Sequence, residues 1–203
     1  MLEPLIRGLI TGGAKVLTAP QTRWLGCEPD DRPRIYYSNH TSHLDFVLLW
    51  SALPRPLRAR TRPVAASDYW DRLSLRRYVI RRVFSGILIR RYKTEQERCL
   101  APLFDALDHR QSLIVFPEGT RGRDQVLGPF KAGLFHMAQA RPEIDLVPVW
   151  LTNCSQVLPK GSYLPLPLLC SVAFGPPQRI RPNEDKAGFL HRLRQSLLEL
   201  EAA

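Results

Sequence analysis

Arg34-Ile35-Tyr36-Tyr37-Ser38-Asn39-His40-Thr41-Ser42-His43-Leu44-Asp45 opens as a strand and closes as a helix. The first five residues are a short run rich in β-branched and aromatic side chains, the composition of a half- or fully buried strand. Thr41 or Ser42 then starts a helix that carries Phe46, Leu48, Leu49 and Trp50, and Pro54 and Pro56 end it. A strand that passes straight into a helix is the opening of a strand–helix–strand unit, and the rest of the chain continues the alternation.

Further strands are expected over 62–66, 86–89, 112–116, 146–151 and 168–174. Helices are expected over 69–83, 95–108 and 131–140, and from Asn183 or Asp185 to about Leu200. The pattern gives an α/β fold: a mixed, largely parallel central sheet flanked by helices. The expected organisation is one domain over 1–203, with a core at 34–150. Functional loops in such sheets sit at the carboxyl ends of the strands, which directs attention to the segments after Ser38, Ile89 and Phe116.

Lys and Arg total 29 against 19 Asp and Glu, a net charge of +10. That field favours polyanions, whether nucleic acid, anionic lipid or a phosphorylated small molecule. Cys27, Cys99, Cys154 and Cys170 are widely spaced with no C-x-x-C pair, which argues against zinc and against a disulfide framework. No apolar run has bilayer-spanning length, and residues 1–20 lack the pattern of a signal peptide. The expected location is cytoplasmic, with peripheral contact on the inner face of the membrane. Leu2, Leu5, Ile6, Leu9 and Ile10 recur at helical spacing, and Val16 and Leu17 extend the pattern past Gly12 and Gly13. This amphipathic helix either packs on the domain or lies in a membrane interface.

His40 precedes the helix and Asp45 lies in its first turn, so the chain turns between them and the carboxylate can reach back to the imidazole. A carboxylate on one ring nitrogen fixes the tautomer and leaves the other nitrogen basic, fit to take a proton from an attacking hydroxyl. The same residues also read as a capping box, with Asp45 serving only the helix start. His43 is a rival base whose direction the helix sets.

After the apolar 112–116 run comes Pro117-Glu118-Gly119-Thr120-Arg121-Gly122-Arg123. Its glycines allow close backbone approach, and Arg121 offers a planar fork suited to phosphate. Lys131 adds charge beside a helix start. The alternative is a solvated basic loop. Gly86-Ile87-Leu88-Ile89-Arg90-Arg91 ends another strand with two arginines, either of which can bind phosphate or simply face solvent.

In this order the segments resemble the glycerolipid acyltransferase family, whose best-known members are the 1-acylglycerol-3-phosphate (lysophosphatidic-acid) acyltransferases. Asn39 to Asp45 is similar to its His-x4-Asp motif, and residues 86–91 to its second motif. Phe116 to Arg121 followed by Phe130-Lys131-x-Gly133 is similar to its third, and Val147-Pro148-Val149 to its fourth. The resemblance implies a glycerol-3-phosphate acyltransferase-like fold, with His40 as general base and Asp45 as its partner. It further implies an acceptor-phosphate site made of Glu118, Gly119, Thr120 and Arg121, joined by Arg91 and Lys131. No cofactor or metal is implied. The donor is acyl-CoA or acyl-carrier protein, and the acceptor is 1-acylglycerol 3-phosphate, acylated to phosphatidic acid in phospholipid biosynthesis. Other expected partners are the anionic membrane surface and no nucleic acid.

The same chemistry on another hydroxyl or amine acceptor is the first alternative, and a catalytically silent lipid-binding relative the second. A basic nucleic-acid-binding module is more remote, because no array of exposed aromatics interleaved with the basic residues and no known nucleic-acid motif is found.

Overall fold

A computed structural model of the chain describes residues 2–42, 44–90, 96–122, 126–157 and 166–202. Arg91, His43, Arg123 and the start of the 95–108 helix at Glu95 lie outside the described residues.

The 34–38 run is the centre of the molecule. β1 (Gln21–Trp24), β2 (Arg34–Ser38), β3 (Thr61–Ala66), β4 (Ile87–Ile89), β5 (Ser112–Val115), β6 (Asp145–Thr152) and β7 (Ser171–Phe174) form one sheet in the order β1-β7-β6-β2-β5-β3-β4. Every neighbouring pair is parallel except β6 with β7. All five residues of β2 are buried, because β5 and β6 cover its two edges and helices cover its two faces.

The strand period of two sorts the side chains between two cores. Tyr36, Ile114 and Val147 face a core built with α1 (Leu2–Thr18), α2 (Asp45–Ala52) and the π-helical turn Val79–Val83. Ile35, Tyr37, Leu113 and Leu146 face a second core built with α6 (Gln96–Asp108), α7 (Gly133–Ala140) and α9 (Lys186–Glu201). Asp185 caps α9 by accepting from the Gly188 amide at 2.9 Å.

Two connections fix where a ligand can enter. The chain leaves β2 through α2, on the first face, and travels to β3. It leaves β5 through α7, on the opposite face, and travels back past β2 to β6. Adjacent strands whose connections depart in opposite directions open a crevice at their carboxyl ends. That crevice lies between the Ser38 end of β2 and the Val115 end of β5.

The structure departs from the sequence expectation in several elements. β1 was not anticipated, nor were the short helices α3 (Arg55–Arg60) and α8 (Cys154–Val157). The 168–174 strand is only Ser171–Phe174. The 69–83 helix is three pieces: α4 (Ser67–Trp70), α5 (Ser74–Tyr78) and the π-helical turn that continues α5. Trp70 and Val83 both contribute to the same core, yet on a straight helix they would lie roughly 140° apart, so one straight rod cannot present both.

Residues 2–18 form an unbroken helix through Gly12 and Gly13. Its apolar residues divide. Ile6, Ile10 and Ala14 pack on the core, whereas Leu2, Leu5, Leu9 and Val16 are exposed at 66%, 62%, 68% and 84%. One face of this helix therefore packs on the domain, and the other is left apolar and open.

Candidate active site

The catalytic candidates sit on the crevice. His40 follows β2 by two residues, and its side chain keeps 21% exposure, while Asp45, at the first position of α2, has none. The ring Nδ1 donates to Asp45 Oδ2 across 2.9 Å. The same oxygen accepts from the backbone amides of Thr41 at 2.6 Å and Ser42 at 2.8 Å. The turn at Thr41–Ser42 thus wraps around the carboxylate and brings it under the ring. Asp45 takes the Ser42 amide as well as the ring, but the full capping box does not form: Leu44 stands at the N-cap of α2 and no side chain caps it. A carboxylate only accepts, so Nδ1 carries the proton and Nε2 is left as the basic nitrogen.

The rest of His40 is held as firmly. Its backbone amide donates to Glu118 Oε1 at 2.9 Å, and its carbonyl accepts from the Gly122 amide at 2.8 Å. Its ring stacks on Phe116, with centroids 4.2 Å apart and planes at 23°. Before it, Asn39 clips the turn to the end of β6: its side-chain amide donates to the Leu151 carbonyl, and its oxygen accepts from the Leu151 amide, both at 2.9 Å. Sequence reasoning did not assign roles to Asn39 and Phe116. Their places, one beside His40 and one ending the neighbouring strand, were the available signal.

A cavity of about 300 Å³ opens in front of the ring. Phe46, Tyr69, Trp70, Ile80 and Ile89 give it apolar walls, and Gly119, Thr120 and Arg121 line it together with His40. The 117–122 turn therefore lies on the same side of the molecule as His40, as the third-motif reading required. Gly119 adopts φ +71°, a conformation that side-chain-bearing residues avoid, and this sharp turn sets Thr120 and Arg121 at the cavity. Among the described residues no carboxylate pairs with Arg121, so its guanidinium is open to an anionic ligand.

Two further expected residues are placed differently. Lys131 is exposed, its amide donates to the Pro117 carbonyl at 2.8 Å, and its stem lies beside Gly119 at the turn's edge rather than in the cavity wall. Glu118 is 6% exposed and turned inward: Oε1 takes the His40 amide and Oε2 takes the Gly128 amide at 2.9 Å. Arg90 is exposed at the end of β4. Behind the pair, Cys154 is buried. The neighbouring Cys170 thiol, burial and the nearby Asp45 carboxylate all push the Cys154 thiol's pKa up from its ordinary value.

A histidine with one ring nitrogen on a buried carboxylate, lining an apolar cavity together with Arg121, has the arrangement that general-base chemistry on an anionic substrate requires. The fold is shared with a solved acyltransferase. The crystal structure of the 1-acyl-sn-glycerophosphate (LPA) acyltransferase PlsC from Thermotoga maritima matches with a TM-score of 0.73 at 19% identity, over 98% of this chain and 80% of that one. Residues 18–152 match the family described as Acyltransferase, and the chain belongs to that family.

Among its relatives, the 1-acyl-sn-glycerol-3-phosphate acyltransferase of Chlamydomonas reinhardtii is 30% identical over 139 residues, 66% of this chain and 38% of that protein. The enzyme of that name from Limnanthes douglasii is 30% identical over 157 residues, 75% of this chain and 52% of that protein. The chloroplastic Brassica napus enzyme BAT2 is 32% identical over 133 residues, 65% of this chain and 36% of that protein. The matches thus span about a third to a half of the relatives' length.

Proposed function

We propose that the chain transfers a fatty-acyl group from an acyl thioester to the sn-2 hydroxyl of 1-acylglycerol 3-phosphate, giving phosphatidic acid. The observation that carries this reading is the His40–Asp45 pair opening on an apolar cavity whose rim holds Arg121. The acceptor hydroxyl gives its proton to Nε2 of His40 as its oxygen attacks the thioester carbonyl. The tetrahedral intermediate then collapses, the C–S bond breaks, and the imidazolium returns the proton to the departing thiolate. Asp45 faces the positive charge that forms on the ring. The acceptor phosphate lies at Gly119, Thr120 and Arg121, with Arg91 and Lys131 adding positive charge around it.

The deciding measurement is release of free thiol from a defined acyl thioester, presented as acyl-CoA and as acyl-carrier protein. 1-Acylglycerol 3-phosphate is set beside other hydroxyl and amine acceptors. Turnover with the phosphate-bearing acceptor supports the reading, and turnover confined to another acceptor ends it. Arg121→Ala should raise KM for the acceptor by about 10- to 100-fold, the scale of one hydrogen bond to a charged group, with a smaller change in kcat. An unchanged KM would remove Arg121 from the phosphate site.

Long-chain acceptors reside in bilayers, and the open face of α1 suits peripheral binding there. No helix among the described residues is long and apolar enough to cross a membrane. α1 packs beside the π-helical turn, joined by the Arg7 guanidinium on the Val83 carbonyl at 2.6 Å and by Arg82 near Glu3 at 3.8 Å. The segment feeding that turn adds exposed Leu73 and Leu75 and the exposed Arg72 and Arg77. The arginines around 55–62 contribute less. Arg58 bonds the Leu53 carbonyl and lies over Trp50, Arg60 pairs with Asp31, and Arg62 bonds Gln111. Each surface arginine adds about 1 kcal/mol of attraction to anionic lipid, screened by salt.

Leu5→Asp with Leu9→Asp should abolish sedimentation with anionic vesicles while leaving thermal stability nearly unchanged. Ile6→Asp should lower the melting temperature instead, because the partly buried Ile6 packs against the core. Undiminished sedimentation of the Leu5, Leu9 double variant would refute this placement.

A further inference from the structure

We propose that Glu118 is a positioning residue for His40 and makes no contact with the acceptor. A glutamate beside Gly119, Thr120 and Arg121 reads from sequence as part of an anion site, yet its charge has the wrong sign for one. The geometry points elsewhere. Both carboxylate oxygens are taken up by backbone amides from separate segments, His40 in the turn after β2 and Gly128 at the far end of the 117–129 loop, each at 2.9 Å. The side chain is buried, and it is absent from the cavity wall formed by its neighbours Gly119, Thr120 and Arg121.

The carboxylate fills a space that only glycines leave open. A Cβ on Gly128 would come within 3.0 Å of Oε2, and one on Gly122 within 3.4 Å of the same oxygen. Gly122 meanwhile donates its own amide to the His40 carbonyl at 2.8 Å. Gly122 and Gly128 therefore pack around the Glu118 carboxylate, and Glu118 and Gly122 hold the amide and the carbonyl of His40. Asp45 then sets the ring from one nitrogen, and Phe116 sets its plane. A general base must hold its nitrogen to a fraction of an ångström, and a misplacement of about 1 Å can cost ~10²-fold in rate. Fixing the peptide as well as the ring meets that demand.

Glu118→Gln tests the assignment. Glutamine brings one acceptor and one donor to a place where two N–H groups point, so one of the two contacts must open. Gly128→Ala is the companion: it pushes on Oε2 from outside the cavity and leaves Glu118 charged. Both variants should lower kcat, Glu118→Gln by about 10- to 100-fold, with KM for the acceptor unchanged within about twofold. Hydrogen exchange should accelerate in each variant at the His40 amide, the Gly128 amide or both, because at least one of the two loses its acceptor or has it displaced. If Glu118→Gln does not fold, Gly128→Ala carries the same comparison.

A raised acceptor KM with kcat preserved would make Glu118 a substrate ligand and overturn the proposal. Unchanged exchange at both the His40 and Gly128 amides, or full activity in both variants, would overturn it too. The kinetics rest on the acyl-transfer reading, but amide exchange does not. If no acceptor is turned over by the unaltered protein, that reading falls while the exchange result still judges Glu118.

Discussion

His40→Ala is expected to lower kcat by on the order of 10²- to 10⁴-fold, the contribution a positioned general base makes. The folded state should survive the change. The bonds that seat residue 40 in the turn use its backbone amide and carbonyl, which alanine retains, so Glu118 and Gly122 keep their partners. Asp45 loses the ring but keeps the amides of Thr41 and Ser42 on the same oxygen, so its buried charge is not stranded. The lost packing is one ring stacked on Phe116 at the cavity edge, where solvent can fill the gap. Thermal melting within a few degrees of the unaltered protein, together with loss of thiol release, is the expected pair of results. Retained turnover would mean that another group takes the proton, and the mechanism would have to be rebuilt around it.

The strands that carry the site were legible in the sequence because burial on both faces forces a distinctive composition. β2 and β5 read as strands because their centres, Ile35-Tyr36-Tyr37 and Leu113-Ile114-Val115, are unbroken apolar and aromatic runs suited to a parallel strand covered on both faces. β1 was invisible for the opposite reason. Gln21, Thr22 and Arg23 lie on an exposed sheet edge, so the pairing with β7 leaves no hydrophobic signature. The π-helical turn escaped notice because periodicity within 69–83 stays helical while the axis breaks.

At the site, sequence supplied the residues but not their directions. His40 and Asp45 were read as a pair, and they meet. Glu118 and Arg121 were read as one anion site, yet successive turn residues point to opposite sides, Glu118 inward to a peptide and Arg121 outward to the cavity. Motif spacing carries no information about that split. The dihedral angles of the turn, with Gly119 at φ +71°, decide it. The Asn39 clip on Leu151 was likewise unreadable, because its partners are backbone atoms that any residue would offer.

Asp45 allows a sharper test than His40, because two substitutions should separate orientation from charge. In Asp45→Asn, the position of Oδ2 faces the amides of Thr41 and Ser42 as well as the ring. An amide nitrogen there would oppose two N–H donors, so the asparagine oxygen must take that place. It still accepts from Nδ1, so Nε2 remains the basic nitrogen and the ring keeps its orientation. What disappears is the negative charge facing the imidazolium as the proton arrives. A hydrogen bond to a charged group contributes ~1.5–3 kcal/mol and a neutral one about half, so kcat should fall by roughly 3- to 13-fold.

Asp45→Ala removes the acceptor altogether. The ring is free to rotate or change tautomer, and two buried amides lose their partner at about 1–3 kcal/mol each, so stability falls with activity. Its kcat should drop by on the order of 10³-fold or more. The order unaltered, then Asn, then Ala is the expected outcome for activity, with Ala losing more melting temperature than Asn, whose NH2 takes the buried and unpartnered place of Oδ1. Equal losses in the two variants would mean that charge alone matters and that the wrapped turn does not orient the base. An asparagine variant as active as the unaltered chain would mean that no imidazolium forms on the path, and proton transfer would have to be assigned away from His40.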